Sequence, residues 1–187
     1  MGVRTMSCGR RGFSLVELMV VVMIVGILAA LAIPKYLKSV EMTKADSGAA
    51  QLKMVGAAAR MYAIDHSGNY ATGAQITTTC NSATCTAGKG GSYPACDLVA
   101  CKYLPFNDYS NMAWQVATAG NGTSPGSCPL TGAGSATNLV ACAVRGSAAS
   151  APYNSWGYTM DVNGVVTCYP SGTTTCSDAS DPPLPSQ

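Results

Sequence analysis

Cysteines are the residues of this chain most suited to chemistry. The 187-residue sequence contains nine of them: Cys8 stands alone near the start, and the other eight lie between Cys80 and Cys176. None has the C-x-x-C spacing of zinc, haem or thioredoxin-type sites, and the single histidine, His66, is far from them in sequence. An even set in an exported chain is typical of a disulfide framework, so we expect structural disulfides, no metal and no cofactor.

The remaining reactive side chains do not form a catalytic set. No Ser/His/Asp arrangement, carboxylate pair or phosphate-binding glycine loop stands out, so we expect no enzymatic activity, and we expect His66 to be an exposed residue at a helix end. Residues 161–164 (DVNG) carry alternating oxygen ligands but lack the terminal glutamate of an EF-hand loop, and therefore predict a turn. The net charge of +2 indicates no nucleic-acid surface.

One charge interrupts an apolar run of membrane length. Glu17 is the only charged residue from Phe13 to Ile33, and about 20 apolar residues suffice to cross a bilayer. A carboxylate at the centre of such a span costs roughly 2.5–3.5 kcal/mol. Glu17 therefore either lies close enough to the end of the span to reach the headgroups or meets a positive partner.

A single long helix is expected to carry this run. From Lys35 to Asp65 there is no proline, and small and apolar residues recur at steps of three and four. That stripe consists of Ala45, Ala49, Leu52, Val55, Ala59 and Tyr62. We predict a helix from Phe13 to near His66, kinked at Pro34 and weakened at Gly26.

The distal half predicts short strands. Residues 113–118 and 139–144 favour β-structure, and residues 158–160 and 165–167 flank the DVNG turn as a hairpin. Gly68 and Asn69 predict the turn that ends the long helix, and residues 97–104 predict a short second helix. The expected fold class is α+β: a long kinked N-terminal helix packed against a small antiparallel β-sheet and stapled by disulfides.

Five segments follow from these patterns. Residues 1–12 form a short basic leader, residues 13–34 an apolar transmembrane half of the helix, and residues 35–66 its amphipathic half. Residues 67–180 form a cysteine-rich globular head, and residues 181–187 a flexible proline-rich tail.

The N-terminal stretch resembles the class III signal of type IV pilins and type II secretion pseudopilins. The matching elements are Arg10-Arg11, Gly12, Phe13, Ser14-Leu15-Val16, Glu17 and the apolar run to Pro34. The resemblance covers about 40 residues directly, with weaker similarity at residues 69–70 and 156–164. It implies a pilin-like fold, cleavage between Gly12 and Phe13 by a membrane-bound prepilin peptidase, and N-methylation of Phe13.

The resemblance also implies how subunits assemble. Glu17 would meet the methylated amine of Phe13 on a neighbouring subunit, and the helix between Gly26 and Pro34 would lose regular structure in the filament. The implied partners are further copies of the chain, the prepilin peptidase, an inner-membrane platform protein and a cytoplasmic ATPase. The chain would be a single-pass inner-membrane protein before assembly.

The expected disulfide pairs rest on two different grounds. Cys168 and Cys176 enclose a short loop after the last hairpin, which resembles the disulfide-bounded C-terminal loop of many pilins. The other three pairs are guesses from proximity alone: Cys80–Cys85, Cys96–Cys101 and Cys128–Cys142.

Three functional alternatives stay open. The first expectation is a structural, major-type subunit of an extracellular type IV pilus, and the second is a pseudopilin of a periplasmic type II secretion filament. The third is a secreted soluble protein, because Ala30-Leu31-Ala32 matches a signal-peptidase site that would release a domain from Ile33. An anchored periplasmic enzyme or binding module has no catalytic set to support it.

Overall fold

The structure is a computed structural model that describes residues 12, 14–86, 88–130, 137–146, 149, 151, 153–169, 176 and 182–183. The chain divides into two compact units, Met1–Val40 and Glu41–Gln187. Its main elements are helix α1 (Leu15–Asp65), helix α2 (Asp97–Ala100) and strands β1 (Trp114–Thr118), β2 (Leu139–Arg145), β3 (Gly157–Asp161) and β4 (Val166–Tyr169). Short 3₁₀ turns connect them.

Helix α1 confirms the predicted long helix. It contains 51 residues, with Pro34 inside it, and the predicted kink at that residue stays a prediction. The helix ends where the backbone turns left-handed at Ser67 (φ 58°) and Gly68 (φ 88°). The Gly68 N–H donates to the Ala63 carbonyl at 2.7 Å, so the predicted glycine turn closes the helix.

The four strands form one antiparallel sheet in the order β1-β2-β3-β4. The predicted hairpin joins β3 to β4. At its turn, the Asp161 carboxylate accepts hydrogen bonds from the Asn163 and Val165 N–H groups at 2.9 and 2.8 Å, and Gly164 has a φ of 87°. Residues 161–164 therefore form a turn, as the sequence predicts.

The core of the second unit forms between α1 and the sheet. All six residues of the predicted helical stripe are buried there. Two glycines of α1 lie on the same side: a Cβ on Gly48 would come within 2.3 Å of the Trp114 indole, and one on Gly56 within 1.8 Å of the Met160 methyl group. The bare backbone at these positions admits large side chains from the sheet.

One helix of the head is shorter than expected, and two residues of the predicted tail have contacts that the sequence did not indicate. Helix α2 covers four residues instead of eight, because the chain turns left-handed at Lys102 (φ 67°). In the C-terminal segment expected to be a flexible tail, Pro182 is buried, and the Tyr158 hydroxyl donates to the Pro183 carbonyl. These two tail residues therefore pack onto the head.

The disulfides correct two of the guessed pairs. The structure joins Cys80 to Cys96 and Cys85 to Cys101, so the pairs Cys80–Cys85 and Cys96–Cys101 are wrong. The physical reason is tertiary: the segment around residues 80–85 lies beside the segment around residues 96–101, with Cα atoms 4.8 and 4.9 Å apart across the two bridges. The structure also contains the bridges Cys128–Cys142 and Cys168–Cys176.

Candidate assembly site

The N-terminal part of α1 presents an exposed apolar surface. Its large apolar side chains from Leu15 to Leu37 are 50–73% exposed. The helix is long and apolar enough to cross a membrane, judged by length and composition. A continuous apolar surface of this extent needs a covering partner, either lipid or protein.

Glu17 lies at the third position of α1, where the sequence places the one charge of the apolar run. The Leu18 N–H donates to the Ser14 carbonyl at 3.2 Å, so the helix starts directly after Ser14. The positive end of the helix dipole favours a carboxylate in this first turn. The Ser14-x-x-Glu17 spacing also matches a capping box, which is the structural alternative to a partner in assembly.

The structure describes only part of the predicted assembly residues and shows no contact among those it describes. Gly12 is described and exposed, but Phe13 lies outside the described residues, so its cleavage, its methylation and its pairing with Glu17 stay predictions. Gly26 and Pro34 lie within helical backbone, and a Cβ added to Gly26 would have nothing within 4 Å. Local unwinding between them stays a prediction about the filament.

An ion-pair cluster lies at the start of the second unit. Glu41 accepts hydrogen bonds from Lys44 at 2.7 Å and from Arg145 at 3.1 Å, and Arg145 also donates to the Ala113 carbonyl. Burial opposes ionisation of Glu41, but the hydrogen bonds from Lys44 and Arg145 outweigh it and lower the pKa of this carboxyl. Arg145 is only 8% exposed, so the cluster fixes α1 to the end of strand β2.

A buried carboxylate fixes the C-terminal end of α1. Asp97 is 1% exposed and accepts hydrogen bonds from the Tyr62 hydroxyl at 3.1 Å, the Thr86 hydroxyl at 2.6 Å and the Thr86 N–H at 3.1 Å. Burial and the neighbouring Asp97 raise the pKa of Tyr62. Thr86 follows Cys85 and Asp97 follows Cys96, so two disulfides hold the donor and the acceptor together.

His66 belongs to an aromatic cluster at the end of the long helix. Its ring stacks on Tyr62 at 3.9 Å and makes edge contacts with Tyr93 and Tyr103 at 6.2 and 6.4 Å. The helix-end position is as predicted, but His66 is half-buried rather than exposed. Burial and a hydrogen bond to Asp65 raise the pKa of Tyr103 to about 12.

The reactive groups of the described residues do not form a metal site. No group of three or more His, Cys, Asp or Glu side chains in this part of the chain could hold a metal ion.

The sequence patterns did not indicate the roles of Arg145 and Asp97. The available signals were weak: an arginine ending a buried strand pattern, and an aspartate next to a cysteine.

Comparison with known proteins finds similarity over a short part of the chain. The family described as the prokaryotic N-terminal methylation motif matches residues 8–33. A curated relative, the type II secretion system core protein G of Pseudomonas aeruginosa, is 42% identical over 55 residues. That match covers 29% of this chain and 39% of the relative, and no solved structure matches the chain.

The family model matches the start of the chain, and the structure adds a long N-terminal helix packed on a four-stranded antiparallel sheet. The chain therefore carries the prokaryotic N-terminal methylation motif over residues 8–33 and is similar over 55 residues to a type II secretion system core protein.

Proposed function

We propose that this protein is a structural, major-type subunit of a type IV pilus that assembles through the N-terminal half of α1. The observation that carries the proposal is the exposed apolar helix surface with Glu17 as its single charge in the first turn. Lipid covers this surface before assembly, and the same helix of other subunits covers it in the filament.

The charge on Glu17 gives assembly its register. Cleavage between Gly12 and Phe13 would create a new amine four residues before Glu17, and N-methylation leaves that amine positive. In a filament core that excludes water, an unpaired carboxylate is penalised, whereas one paired with the amine of a neighbouring subunit is tolerated. Only arrangements that pair the two groups are therefore stable.

The role is structural rather than enzymatic. The proposed partners are further copies of the chain, the prepilin peptidase, an inner-membrane platform protein and a cytoplasmic ATPase that drives assembly. The chain would reside in the inner membrane as a single-pass precursor and later in an extracellular pilus. Four disulfides in the head suit exposure outside the cell, because each adds about 2–4 kcal/mol by restricting the unfolded chain.

The second candidate is a pseudopilin of a type II secretion system. The observation that favours it is the similarity of a 55-residue stretch of this chain to a protein named as a type II secretion system core protein. Both candidates use the same helix and the same processing. They differ in where the filament ends: a pilus leaves the cell, whereas a pseudopilus stays in the periplasm.

An intact mass measured without reduction tests the proposal. The sample is the sheared surface fraction of the native cells, compared with their membrane fraction. We expect the surface fraction to contain a chain that starts at N-methylated Phe13 and lacks eight hydrogens. The same chain confined to the membrane fraction would favour the pseudopilin, and a chain that starts at Ile33 in the medium would refute both filament proposals.

A further inference from the structure

We infer that Lys35, Tyr36 and Lys38 form a membrane-interface collar that binds the headgroups of anionic phospholipids. The inference rests on the proposed function, because it requires that the N-terminal half of α1 spans a membrane. The collar is a lipid-binding surface that does not include any of the proposed assembly residues. All three side chains are exposed, and they follow the apolar run directly.

The spacing along the helix places the collar at a membrane surface. Lys35 lies 18 positions after Glu17, which at 1.5 Å per residue is about 27 Å. The hydrocarbon core of a bilayer is about 30 Å thick. With Glu17 near one surface, Lys35 reaches the other, and the long lysine side chains can extend to the phosphates while their methylene groups stay in the acyl region.

The charges of the collar are not satisfied within the protein. Among the described residues, neither Lys35 nor Lys38 forms an ion pair, and the next acid along the helix, Glu41, is bound by Lys44 and Arg145. Two like charges three residues apart on a helix repel each other. An anionic surface relieves that repulsion, whereas a zwitterionic surface does so far less.

Tyr36 supplies the second component of an interfacial site. Its side chain is 69% exposed on the helix, between the two lysines in sequence. Tyrosine is enriched at membrane surfaces because its ring is apolar and its hydroxyl is polar. The combination of tyrosine and lysine directly after an apolar span favours lipid headgroups over an acidic protein, because the collar continues a surface that lipid already covers.

The test measures lipid selectivity of the full chain in vesicles that contain phosphatidylglycerol and phosphatidylcholine. Flotation first establishes that the chain is in the bilayer. Spin-labelled forms of the two lipids then report which is immobilised at the protein. A lysine near an anionic surface contributes about fivefold, so we expect K35Q/K38Q to lower the preference for phosphatidylglycerol about fivefold or more.

Two variants serve as controls. K89Q/K102Q removes the same two charges from exposed positions of the head, and we expect it to leave the selectivity unchanged. K35R/K38R keeps both charges, and we expect it to retain the selectivity. Raising the salt concentration to about 1 M, where the screening length is about 3 Å, should weaken the preference of the wild-type chain.

Each contrary outcome has a distinct meaning. A chain that does not float with the vesicles would overturn both the membrane anchor and the collar. A floating chain whose selectivity is unchanged in K35Q/K38Q would overturn the collar alone, and so would an equal loss in K89Q/K102Q. Loss of filaments in K35Q/K38Q without any lipid preference would instead indicate an acidic protein partner and would also overturn the lipid proposal.

Discussion

The hydroxyl of Tyr62 in α1 donates a 3.1 Å hydrogen bond to the carboxylate of Asp97, which lies 35 residues further along the chain. Asp97 is almost fully buried, and Tyr62 is the one donor that α1 supplies to it among the described residues. This bond joins the end of the long helix to the segment that carries two disulfides. Removing this bond leaves the buried Asp97 carboxylate with one hydrogen-bond donor fewer, which lowers the stability of the folded state.

We therefore expect Tyr62→Phe to lower the free energy of unfolding by about 1–3 kcal/mol. Tyr103→Phe is the matched control, because the Tyr103 hydroxyl also donates to a carboxylate, that of Asp65, but an exposed one. Its cost should stay below about 1 kcal/mol, as for other surface interactions. Urea unfolding of both oxidised variants makes the comparison, and equal costs would contradict the role assigned to Asp97.

The two buried glycines of α1, Gly48 and Gly56, predict a graded response to an added methyl group. Gly48→Ala places its Cβ against the rigid Trp114 indole, which stacks on Tyr158, and should cost about 1–3 kcal/mol of stability. Gly56→Ala meets the flexible end of Met160 and should cost less.

Gly26→Ala is the control for helix propensity, because nothing lies within 4 Å of its added Cβ. Thermal unfolding of the three variants in detergent measures the order. A Gly56→Ala variant less stable than Gly48→Ala would show that Trp114 yields more readily than Met160.

The ion pair of Glu41 with Arg145 predicts a loss of stability in acid. The pKa of Glu41 is lowered below its ordinary value of 4.5, so the unfolded chain takes up a proton at a higher pH than the folded chain. The stabilisation is therefore complete above about pH 5 and is lost as the pH falls through the lowered pKa.

Glu41→Gln should remove that contribution and flatten the stability profile below about pH 5. Denaturant unfolding at several pH values measures the two profiles. If wild type and variant lose stability in parallel, another carboxyl must account for the acid sensitivity.

The crossed disulfides predict the result of a tryptic digest without reduction. Cleavage after Arg60, Lys89 and Lys102 yields one peptide of residues 61–89 and another of residues 90–102. Because Cys80–Cys96 and Cys85–Cys101 cross between them, the two peptides should stay linked until a reductant is added. Separate peptides before reduction would instead indicate local pairs within each segment.

Glu17 predicts a defect in assembly that spares processing. We expect Glu17→Ala to be cleaved and methylated normally but to yield few filaments, because the amine of Phe13 loses its partner. Glu17→Gln separates the two explanations for this residue, since glutamine can replace glutamate in a capping box but carries no charge.

Filament yield in the sheared fraction and an intact mass of the membrane fraction measure these two steps. If Glu17→Gln restores filaments to the wild-type amount, capping of the helix is sufficient and the charge pairing is wrong.

The sequence predicted best the residues whose role follows from a periodic or contiguous pattern within one segment. The stripe from Ala45 to Tyr62 follows helical periodicity, and the turn before Val165 follows local aspartate, asparagine and glycine chemistry. The methylation motif is likewise contiguous. Such features depend on neighbours in the sequence, so no tertiary information is needed to find them.

The missed features depend on contacts between distant segments. Arg145 meets Glu41 across 104 residues, and the cross-pairing of Cys80 with Cys96 follows from how two segments lie side by side. Proximity in sequence favoured Cys80–Cys85, but tertiary packing decided otherwise. A contact of the same kind involves the predicted tail, because the Tyr158 hydroxyl donates to the Pro183 carbonyl, while the flexibility of residues 181–187 stays a prediction.

The four bridges use all eight cysteines between Cys80 and Cys176, and the sequence holds nine. The remaining one, Cys8, precedes the proposed cut after Gly12. An oxidised precursor would then carry a single thiol equivalent, and the cleaved chain would carry none. A thiol-reactive dye would label only uncut molecules, so the fraction of unlabelled chain becomes a direct count of leader removal.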